Sequence, residues 1–400
     1  MILNTKKIKK EFALYKHKKN LVYLDFAATA LTPDLVTTAM NEYYEQYNAN
    51  VHRGVHEMSM IASEMYERAR RTVADFIGAD TNEIVFTSGA TAALNALALG
   101  LEHLLTPDDS IVLSRFEHHS NLVPWLEVAK RTGAHIRYLE ITSDGALDLH
   151  SINQVIDEST KIVSVTALSN TLGTLIPLET IISRAQEMHA YTIIDAAQMA
   201  AHHEINVKKL GCDFLVFAGH KVYGPTGAGV MYGRMSALTL LEPSAFGGGM
   251  ISHVSYDHAT WGNIPFRFEA GTPNIAGALG LAAAIQFLQE LDMHSIGMHV
   301  DMITKYAHKR LKEIPQLRIL GPQHHTGIIS FVVEGAHAFD IGTLLDQEGV
   351  AVRTGHHCTQ PLLALLGVPS TVRISCGITT SQEDIDECIV ALTKAIKMIS

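Results

Sequence analysis

From about residue 80 to residue 233, the sequence alternates short apolar stretches with amphipathic helical stretches, and this alternation most constrains the fold. The stretch EIVFTSGAT (83–91) predicts a strand and loop, and the helix-like AALNALALGLEHLL (92–105) follows it. Further strand candidates are SIVLSRFEHH (110–119), HIRYLEI (135–141), KIVSVTALSN (161–170), YTIIDAAQ (191–198), FLVFAGHK (214–221) and GAGVMYG (227–233). Strands that alternate with helices predict an α/β fold with a mostly parallel, doubly wound sheet covered on both faces.

The pattern of predicted strands and helices changes after a Gly/Pro-rich stretch at 243–273. Two strand candidates, GIISFVVEG and VAVRT, there alternate with helical patterns at 294–313, 338–348 and 382–399. This is an α+β pattern. We therefore expect a large domain over 21–289 and a small α+β domain over 290–400, to which the N-terminal arm, residues 1–20, is added.

Composition limits the classes of function. The chain has 400 residues, 47% of them hydrophobic, which is enough to bury a large core. A net charge of −10 argues against nucleic-acid binding. The basic, polar N-terminus lacks the apolar segment of a signal peptide, which leaves a helical arm or a contact with an anionic surface open. The run from Ile275 to Leu288 is shorter than the roughly 20 residues of a membrane span, so no membrane is expected.

The cysteines are few and scattered. They are Cys212, Cys358, Cys376 and Cys388, with no C-x-x-C pair. The spacing predicts neither a disulfide framework nor a zinc ribbon. A reduced, cytoplasmic location is the resulting expectation.

Polar residues follow five of the predicted strands. They are Ser88 to Thr91, Glu117 to Ser120, Ser169 with Asn170, Asp195 to Gln198, and Ala218 to Lys221. Because open α/β sheets bind ligands beyond the carboxyl ends of their strands, this clustering predicts a functional site.

Three of these strand ends suggest a cofactor. The turn TSGAT (87–91) could bind a phosphate at a helix N-terminus, or it could be an ordinary helix cap. Asp195 could likewise be a cap or a carboxylate that pairs with a cationic heterocycle, and Lys221 could be solvated or reactive. Together they are typical of a pyridoxal phosphate enzyme, in which the lysine binds the aldehyde covalently and the aspartate keeps the pyridine nitrogen protonated.

The stretch RTGHHCTQP (353–361) places two histidines directly before Cys358. It could be a metal site, an activated thiol or a plain turn. Zinc would need further ligands, and none lies nearby in sequence, so no metal is expected. Tandem histidines also recur at 118–119, 202–203 and 324–325. Arg353 and the imidazoles would favour a thiolate, whereas a buried, inert cysteine is the alternative. A nucleophilic cysteine beside a pyridoxal site suggests sulfur transfer.

The chain resembles the SUF-type (group II) cysteine desulfurases of the NifS-like class V aminotransferase family, which have PLP fold type I. The resemblance runs nearly end to end, and RTGHHC is its most specific motif. The motifs are YLDFAATA (23–30), NVHRGVH (50–56), EHHSNLVPW (117–125), LSNTLG (168–173), DAAQ (195–198), GHKVYGPTG (219–227), FEAGTPN (268–274) and RTGHHC (353–358). The fold it implies is a large domain with a mostly parallel seven-stranded sheet and a small α+β domain.

The resemblance implies a set of cofactor contacts. Lys221 would hold pyridoxal 5'-phosphate covalently and move the proton at Cα, and Asp195 would pair with the pyridine nitrogen. Gln198 would bind the phenolate oxygen and His118 would stack on the ring. The phosphate would be held by Thr91, His220 and the backbone near Ala90.

It also implies substrate contacts and a partner subunit. Asn170 and Arg373 would bind the substrate carboxylate. Arg353 and His52 would lie beside the substrate. Cys358 would take the sulfur as a persulfide. Thr272 and the Gly247 region would reach the cofactor of a second copy, giving a homodimer with shared sites.

The activity so implied is removal of sulfur from L-cysteine, giving L-alanine, with a SUF-type acceptor protein that serves iron–sulfur cluster assembly. Alternatives are a lyase acting on L-selenocysteine, another class V enzyme, a non-catalytic sulfur-transfer scaffold and a zinc protein. The chain departs from the family pattern at several positions. They are Ala90, Ala92, Phe246, Thr359 and the stretch ISCGITT (374–380).

Overall fold

The computed structural model describes residues 3–399. Its strands are β1 (Val22–Tyr23), β2 (Ile84–Thr87), β3 (Ser110–Ser114), β4 (His135–Leu139), β5 (Thr160–Thr166), β6 (Tyr191–Asp195), β7 (Phe214–Ala218), β8 (Gly229–Gly233), β9 (Ile251–Val254), β10 (Ala259–Trp261), β11 (Leu317–Leu320), β12 (Ile328–Val333), β13 (Val350–Ala351), β14 (Arg353–Gly355) and β15 (Thr371–Ser375).

The α-helices connect and cover these strands. They are α1 (Thr5–Ile8), α2 (Ala13–His17), α3 (Asp34–Gln46), α4 (Glu57–Ile77), α5 (Ala90–Leu101), α6 (His119–Thr132), α7 (Leu149–Val155), α8 (Leu178–Glu187), α9 (Val207–Leu210), α10 (Met235–Leu240), α11 (Ile275–Leu291), α12 (Met293–Leu311), α13 (Ala338–Gln347), α14 (Gln360–Leu365) and α15 (Gln382–Ile399). Short 3₁₀ turns lie at Lys9–Glu11, Thr81–Glu83, Glu102–Leu104, Gly219–Lys221 and Phe266–Phe268.

A seven-stranded sheet forms the larger part of the molecule. Its order is β2-β8-β7-β6-β5-β3-β4, and β8 alone runs antiparallel to its two neighbours. Every residue of β3 and β7 is buried, as expected when helices cover both faces of a parallel sheet. The predicted mostly parallel, doubly wound sheet is therefore confirmed. The carboxyl ends of β5, β6 and β7 lie along one edge.

A smaller, wholly antiparallel sheet forms from the last hundred residues. Its order is β11-β12-β15-β14, and α12, α13 and α15 pack against it. The three helices match the helical patterns predicted there. Strand β1 pairs in parallel with β13, which brings residues 22–23 to this part of the chain. The α/β plus α+β architecture is confirmed, whereas the predicted domain boundaries stay a prediction.

The N-terminal arm contacts both parts of the molecule. Phe12 is fully buried, with its ring against Tyr223 and Phe287. Lys9 forms an ion pair of 2.7 Å with Asp384 on α15. The arm therefore joins the two parts across their junction.

The apolar run seen in the sequence becomes helix α11. It is buried on nearly all sides and packs against α3 and α4, as a helix that is apolar all round requires. Within residues 3–399, no helix combines the length and apolar character needed to cross a membrane.

Some elements were not predicted. Among them are α3, α4, α14, β1, β11, β15 and the β9–β10 hairpin. The hairpin lies inside the Gly/Pro-rich stretch, and most of its residues are exposed. Because it buries no face, it has no apolar alternation to reveal it.

A buried ion pair ties the loop before α11 to the large sheet. Arg70 on α4 and Glu269 are joined by two hydrogen bonds of 2.6 and 2.9 Å, and the Arg70 side chain is 1% exposed. Arg70 also donates to the carbonyl of Ile84, and Glu269 accepts from the amide of Phe86. Each charge is thus fully paired where water does not reach.

We expect Arg70→Met to lower the free energy of unfolding by about 3–5 kcal/mol, because the Glu269 carboxylate would stay buried without its partner. The matched control is Arg131→Met, which breaks the half-exposed Arg131–Glu102 pair and should cost about 1 kcal/mol or less. Denaturant unfolding of both variants measures the difference. Equal losses would contradict the importance of the buried pair.

Candidate active site

A cavity of about 550 Å³ opens at the carboxyl ends of the parallel strands. Its lining comes from both sheets. The lining includes these residues named from the sequence: Ala90, Thr91, His118, Asn170, Asp195, Gln198, His220, Lys221, Arg353, Cys358 and Arg373. Residues spread over almost 300 positions of the chain are therefore brought to one place.

Lys221 and Asp195 form the polar centre of this cavity. Asp195 is the last residue of β6, and Lys221 lies in the 3₁₀ turn after the neighbouring strand β7. Burial lowers the pKa of the Lys221 amine, and the charge of Asp195 opposes this shift. Burial also raises the pKa of the Asp195 carboxyl, which accepts a hydrogen bond from the amide of Ala197. A lysine whose amine loses its proton easily is a good nucleophile for an aldehyde.

The turn before α5 provides an anion-binding end of the cavity. Ser88, Gly89 and Ala90 line it at the helix N-terminus, where the N-cap residue Gly89 forms no side-chain cap and the first amides of a helix have no intrahelical partners. The hydroxyls of Thr91 and Ser120 lie 2.6 Å apart beside this end. The turn lies tightly on β8, since a Cβ on Gly229 would come within 2.4 Å of the Gly89 Cα.

Two further predicted residues line the walls. The Gln198 amide donates to the carbonyl of Ala27 at 2.8 Å. The Nδ1 atom of His220 lies 3.3 Å from the Thr29 hydroxyl. Both contacts connect the large sheet to residues 27–29, which follow β1.

His118 is the N-cap of α6, and its Nδ1 accepts a hydrogen bond from the Ser120 amide at 3.0 Å. Burial lowers the pKa of its imidazole to about 3, with a further contribution from the charge of Lys221. The ring is therefore uncharged at neutral pH. An uncharged, flat imidazole suits stacking on an aromatic cofactor.

Glu117 precedes His118 and belongs to one of the polar strand ends in the sequence, where it was given no role of its own. It is buried and accepts hydrogen bonds from Ser114, Asn121 and the Thr166 amide. Burial raises the pKa of its carboxyl to about 7. These bonds join the ends of β3 and β5. The sequence feature that could have indicated Glu117 is an acidic residue shortly after an apolar strand.

Arg373 on β15 lies at the junction of the two sheets with 3% of its surface exposed. It donates to the carbonyl of Asn170 at 2.9 Å and to the carboxylate of Asp25 at 3.3 Å. Burial lowers the pKa of its guanidinium to about 10, against the effect of Asp25. Its Nε has no protein partner within residues 3–399. Because the Arg373 side chain lines the cavity, its guanidinium can take a carboxylate ligand there.

Asp25 is a second residue that sequence reasoning did not assign. Its carboxylate also pairs with Arg353 at 3.1 Å, so one acid serves two arginines of the cavity. The sequence did contain an indication of Asp25, because this residue lies within the motif YLDFAATA (23–30).

Cys358 is the exposed cysteine, whereas Cys212, Cys376 and Cys388 are buried. Burial raises the pKa of each of those three thiols to about 12. The alternative of a buried, inert Cys358 is therefore wrong. The thiol lies at the mouth of the cavity, and His357 and Cys358 both have a positive φ, of 50° and 57°.

Three predicted residues lie outside the cavity. His52 contacts Glu67 at 2.9 Å, and Thr272 lies 3.4 Å from the Asn50 side chain. Thr272 and Gly247 are exposed. Their roles toward a substrate or a second copy stay predictions. Across the described residues 3–399, no group of three or more His, Cys, Asp or Glu side chains is arranged to hold a metal ion.

The sheet order and the lysine–aspartate centre together define an enzyme of the PLP-dependent fold type I class. The aminotransferase class-V family matches residues 22–388, and the chain belongs to this family.

The chain is similar over its whole length to proteins named as cysteine desulfurases. A probable cysteine desulfurase of Halalkalibacterium halodurans is 44% identical, with 98% of both chains covered. One of Streptomyces coelicolor is 45% identical, with 98% and 97% covered. Among solved structures, a cysteine desulfurase of Thermococcus onnurineus has a TM-score of 0.95 at 40% identity, with 100% of this chain and 99% of that chain covered. One of Escherichia coli has a TM-score of 0.93 at 35% identity, with both chains fully covered.

The buried histidines predict how stability depends on pH. Burial lowers the pKa of His357 to about 3, with Arg373 contributing, against about 6.5 in an unfolded chain. Between these values the unfolded state binds more protons, so stability falls as the pH falls below 6.5, by up to about 1.4 kcal/mol per pH unit for each such histidine. We expect His357→Gln to make the decline shallower.

The measurement is denaturant unfolding of wild type and His357→Gln at a series of pH values from 7 to 5. The control is His103→Gln, which changes an exposed histidine and should leave the slope unchanged. A wild-type slope in His357→Gln would show that this imidazole does not titrate on unfolding.

Proposed function

We propose that this protein is a cysteine desulfurase that uses pyridoxal 5'-phosphate to convert L-cysteine into L-alanine, with Cys358 taking the sulfur as a persulfide. The observation that carries the proposal is the meeting of the exposed Cys358 thiol and the Lys221 amine in one cavity. The names of the full-length relatives support it.

The residues present fit the cofactor. The open N-terminus of α5 would hold the phosphate, with Thr91 and His220 beside it. The buried Asp195 would pair with the pyridine nitrogen and the uncharged His118 would lie on the ring, with Gln198 near the phenolate oxygen. When bound, pyridoxal phosphate supplies an electron sink that makes the substrate Cα–H acidic.

The chain's own groups would then position the substrate. Arg373 and Asn170 would bind the carboxylate of L-cysteine, since both line the cavity and the bonds of Arg373 to Asn170 and Asp25 hold its guanidinium in place. Lys221 would take the proton from Cα, because its lowered pKa leaves the amine available as a base.

Cys358 would perform the sulfur transfer. Its thiolate attacks the substrate Sγ, so that an S–S bond forms while the C–S bond breaks. The electron pair of the C–S bond stays on carbon, which takes up a proton and becomes the methyl group of L-alanine. The enzyme keeps one sulfur atom as the persulfide, and no external oxidant is needed.

Delivery of that sulfur is part of the proposal. Because Cys358 is exposed, its persulfide can be reached by an acceptor protein, for which we propose the SUF type that serves iron–sulfur cluster assembly. We also infer a homodimer, because Thr272, Gly247 and most of the β9–β10 hairpin are exposed and could contact a second copy. Unpaired cysteines are consistent with a reducing, cytoplasmic location.

Cys358→Ala should keep the yellow cofactor absorbance and lose release of alanine from L-cysteine, since no sulfur nucleophile would remain. L-selenocysteine should still react in part, because selenium is the better leaving atom. Intact-mass analysis of wild type after incubation with cysteine should show one added sulfur atom on Cys358. The control is Cys212→Ala, a buried thiol, which should retain turnover. Normal cysteine turnover by Cys358→Ala would refute the proposal.

Borohydride reduction of the holoenzyme followed by peptide mapping should place the pyridoxyl group on Lys221, because its desolvated amine adjoins Asp195. The exposed Lys208, which pairs with Asp80 at the surface, serves as the internal control and should stay unlabelled. Recovery of the label on any other lysine would contradict the cofactor assignment.

A further inference from the structure

Two loops from different sheets meet at the mouth of the cavity. The first, residues 356–359, follows β14 and carries Cys358; it is called here the thiol loop. The second, residues 169–173, follows β5 and carries Asn170; it is called the carboxylate loop. The thiol and the proposed carboxylate site therefore belong to separate parts of the molecule. Their relative position depends on contacts between the loops.

A pair of threonine hydroxyls joins these loops directly. The Oγ1 atoms of Thr171 and Thr359 lie 2.7 Å apart, and both side chains are fully buried. The Thr359 hydroxyl donates to the carbonyl of His356 at 3.0 Å. With the Thr359 proton directed at that carbonyl, the Thr171 hydroxyl is the donor in the pair. The hydroxyls thus form a chain that runs from the carboxylate loop into the thiol loop.

The thiol loop has a conformation that needs such support. His357 and Cys358 have φ angles of 50° and 57°, a left-handed region that is costly for residues with a Cβ. The Asn170 side chain donates to the carbonyl of His357, and the His119 amide donates to that of Cys358, both at 2.8 Å. The threonine pair secures the position immediately after the thiol.

On the Thr171 side, the pair lies next to the groups proposed to bind the substrate. The carbonyl of Thr171 accepts from Ser330, and the preceding residue, Asn170, accepts from Arg373. The hydroxyl chain therefore connects the residue after Cys358 with the residue after Asn170. Thr359 departs from the alanine usual in the family pattern, and the structure supplies a partner for its hydroxyl.

We propose that Thr171 and Thr359 are positioning residues that act as one unit and set the place of the Cys358 thiol relative to the bound substrate. This inference rests on the proposed function. Removal of one hydroxyl leaves the other buried without its partner, and the thiol loop would relieve this by shifting. Removal of both leaves no unpaired hydroxyl, so it should disturb the loop less than removal of the Thr359 hydroxyl alone.

The test compares holoenzymes of Thr359→Val, Thr171→Val, the double variant and Thr359→Ser. Thr359→Val should lower kcat for alanine release about tenfold and leave KM for cysteine within about twofold, because the thiol moves while the carboxylate site stays. Thr171→Val should show a smaller loss, since Thr359 still donates to His356. The double variant should return to within about threefold of wild type, and Thr359→Ser should match wild type.

A second readout follows the thiol without any substrate. The rate of Cys358 alkylation by iodoacetamide should change in the single variants and return toward wild type in the double variant. The control is Thr343→Val, which removes an exposed helical hydroxyl bonded to the Phe339 carbonyl and should change neither readout. If wild type releases no alanine, the proposed function fails, and the alkylation rates still test the pair.

Two results would overturn the inference. One is wild-type kcat and alkylation in Thr359→Val with only a lower melting temperature, which would make the pair purely structural. The other is a double variant whose loss is the product of the two single losses, which would show that the hydroxyls act independently. If Thr359→Val does not fold, a double variant that loses about tenfold or more in kcat overturns the inference, because the double change should stay within about threefold of wild type.

Discussion

The buried guanidinium of Arg373 is the contact on which the assembly of the site depends. A charge with 3% exposure must be paired, and its partners come from Asn170 in the large-sheet part and from Asp25 after β1. Asp25 also pairs with Arg353. The bond to Asn170 crosses the junction and helps to hold the small sheet in its position against the large-sheet part. That position brings the turn with Cys358 to the strand ends of the large sheet.

The electrostatics of the cavity follow from the same burial. Low dielectric lowers the pKa of Lys221 and His118 and raises that of Asp195, so the three groups favour their uncharged forms more than they would in water. Cys358 lies instead at the open edge. The cavity thus separates a dry region suited to cofactor and proton transfer from an exposed thiol that another protein can reach.

Local sequence pattern predicted those parts of the site that lie at strand ends. Asp195 and Lys221 lie at the ends of apolar strands that are adjacent in the sheet. The strand order therefore places the two residues close together. Asp25 and Glu117 were not assigned, since their roles depend on partners far away in sequence, as with Asp25 and Arg373, 348 positions apart. The β9–β10 hairpin was missed because it buries no apolar face.

By itself the sequence determined the class of fold, the family resemblance and a set of candidate site residues, because each of these depends on local periodicity and short motifs. Only the tertiary structure decided that Cys358 is exposed, that His52 lies outside the cavity, and that Thr171 and Thr359 join two loops. The physical reason is the contact between loops that follow strands of the two different sheets. Hydrogen bonds across that junction link residues almost two hundred positions apart, and no local pattern encodes which hydroxyls will meet there.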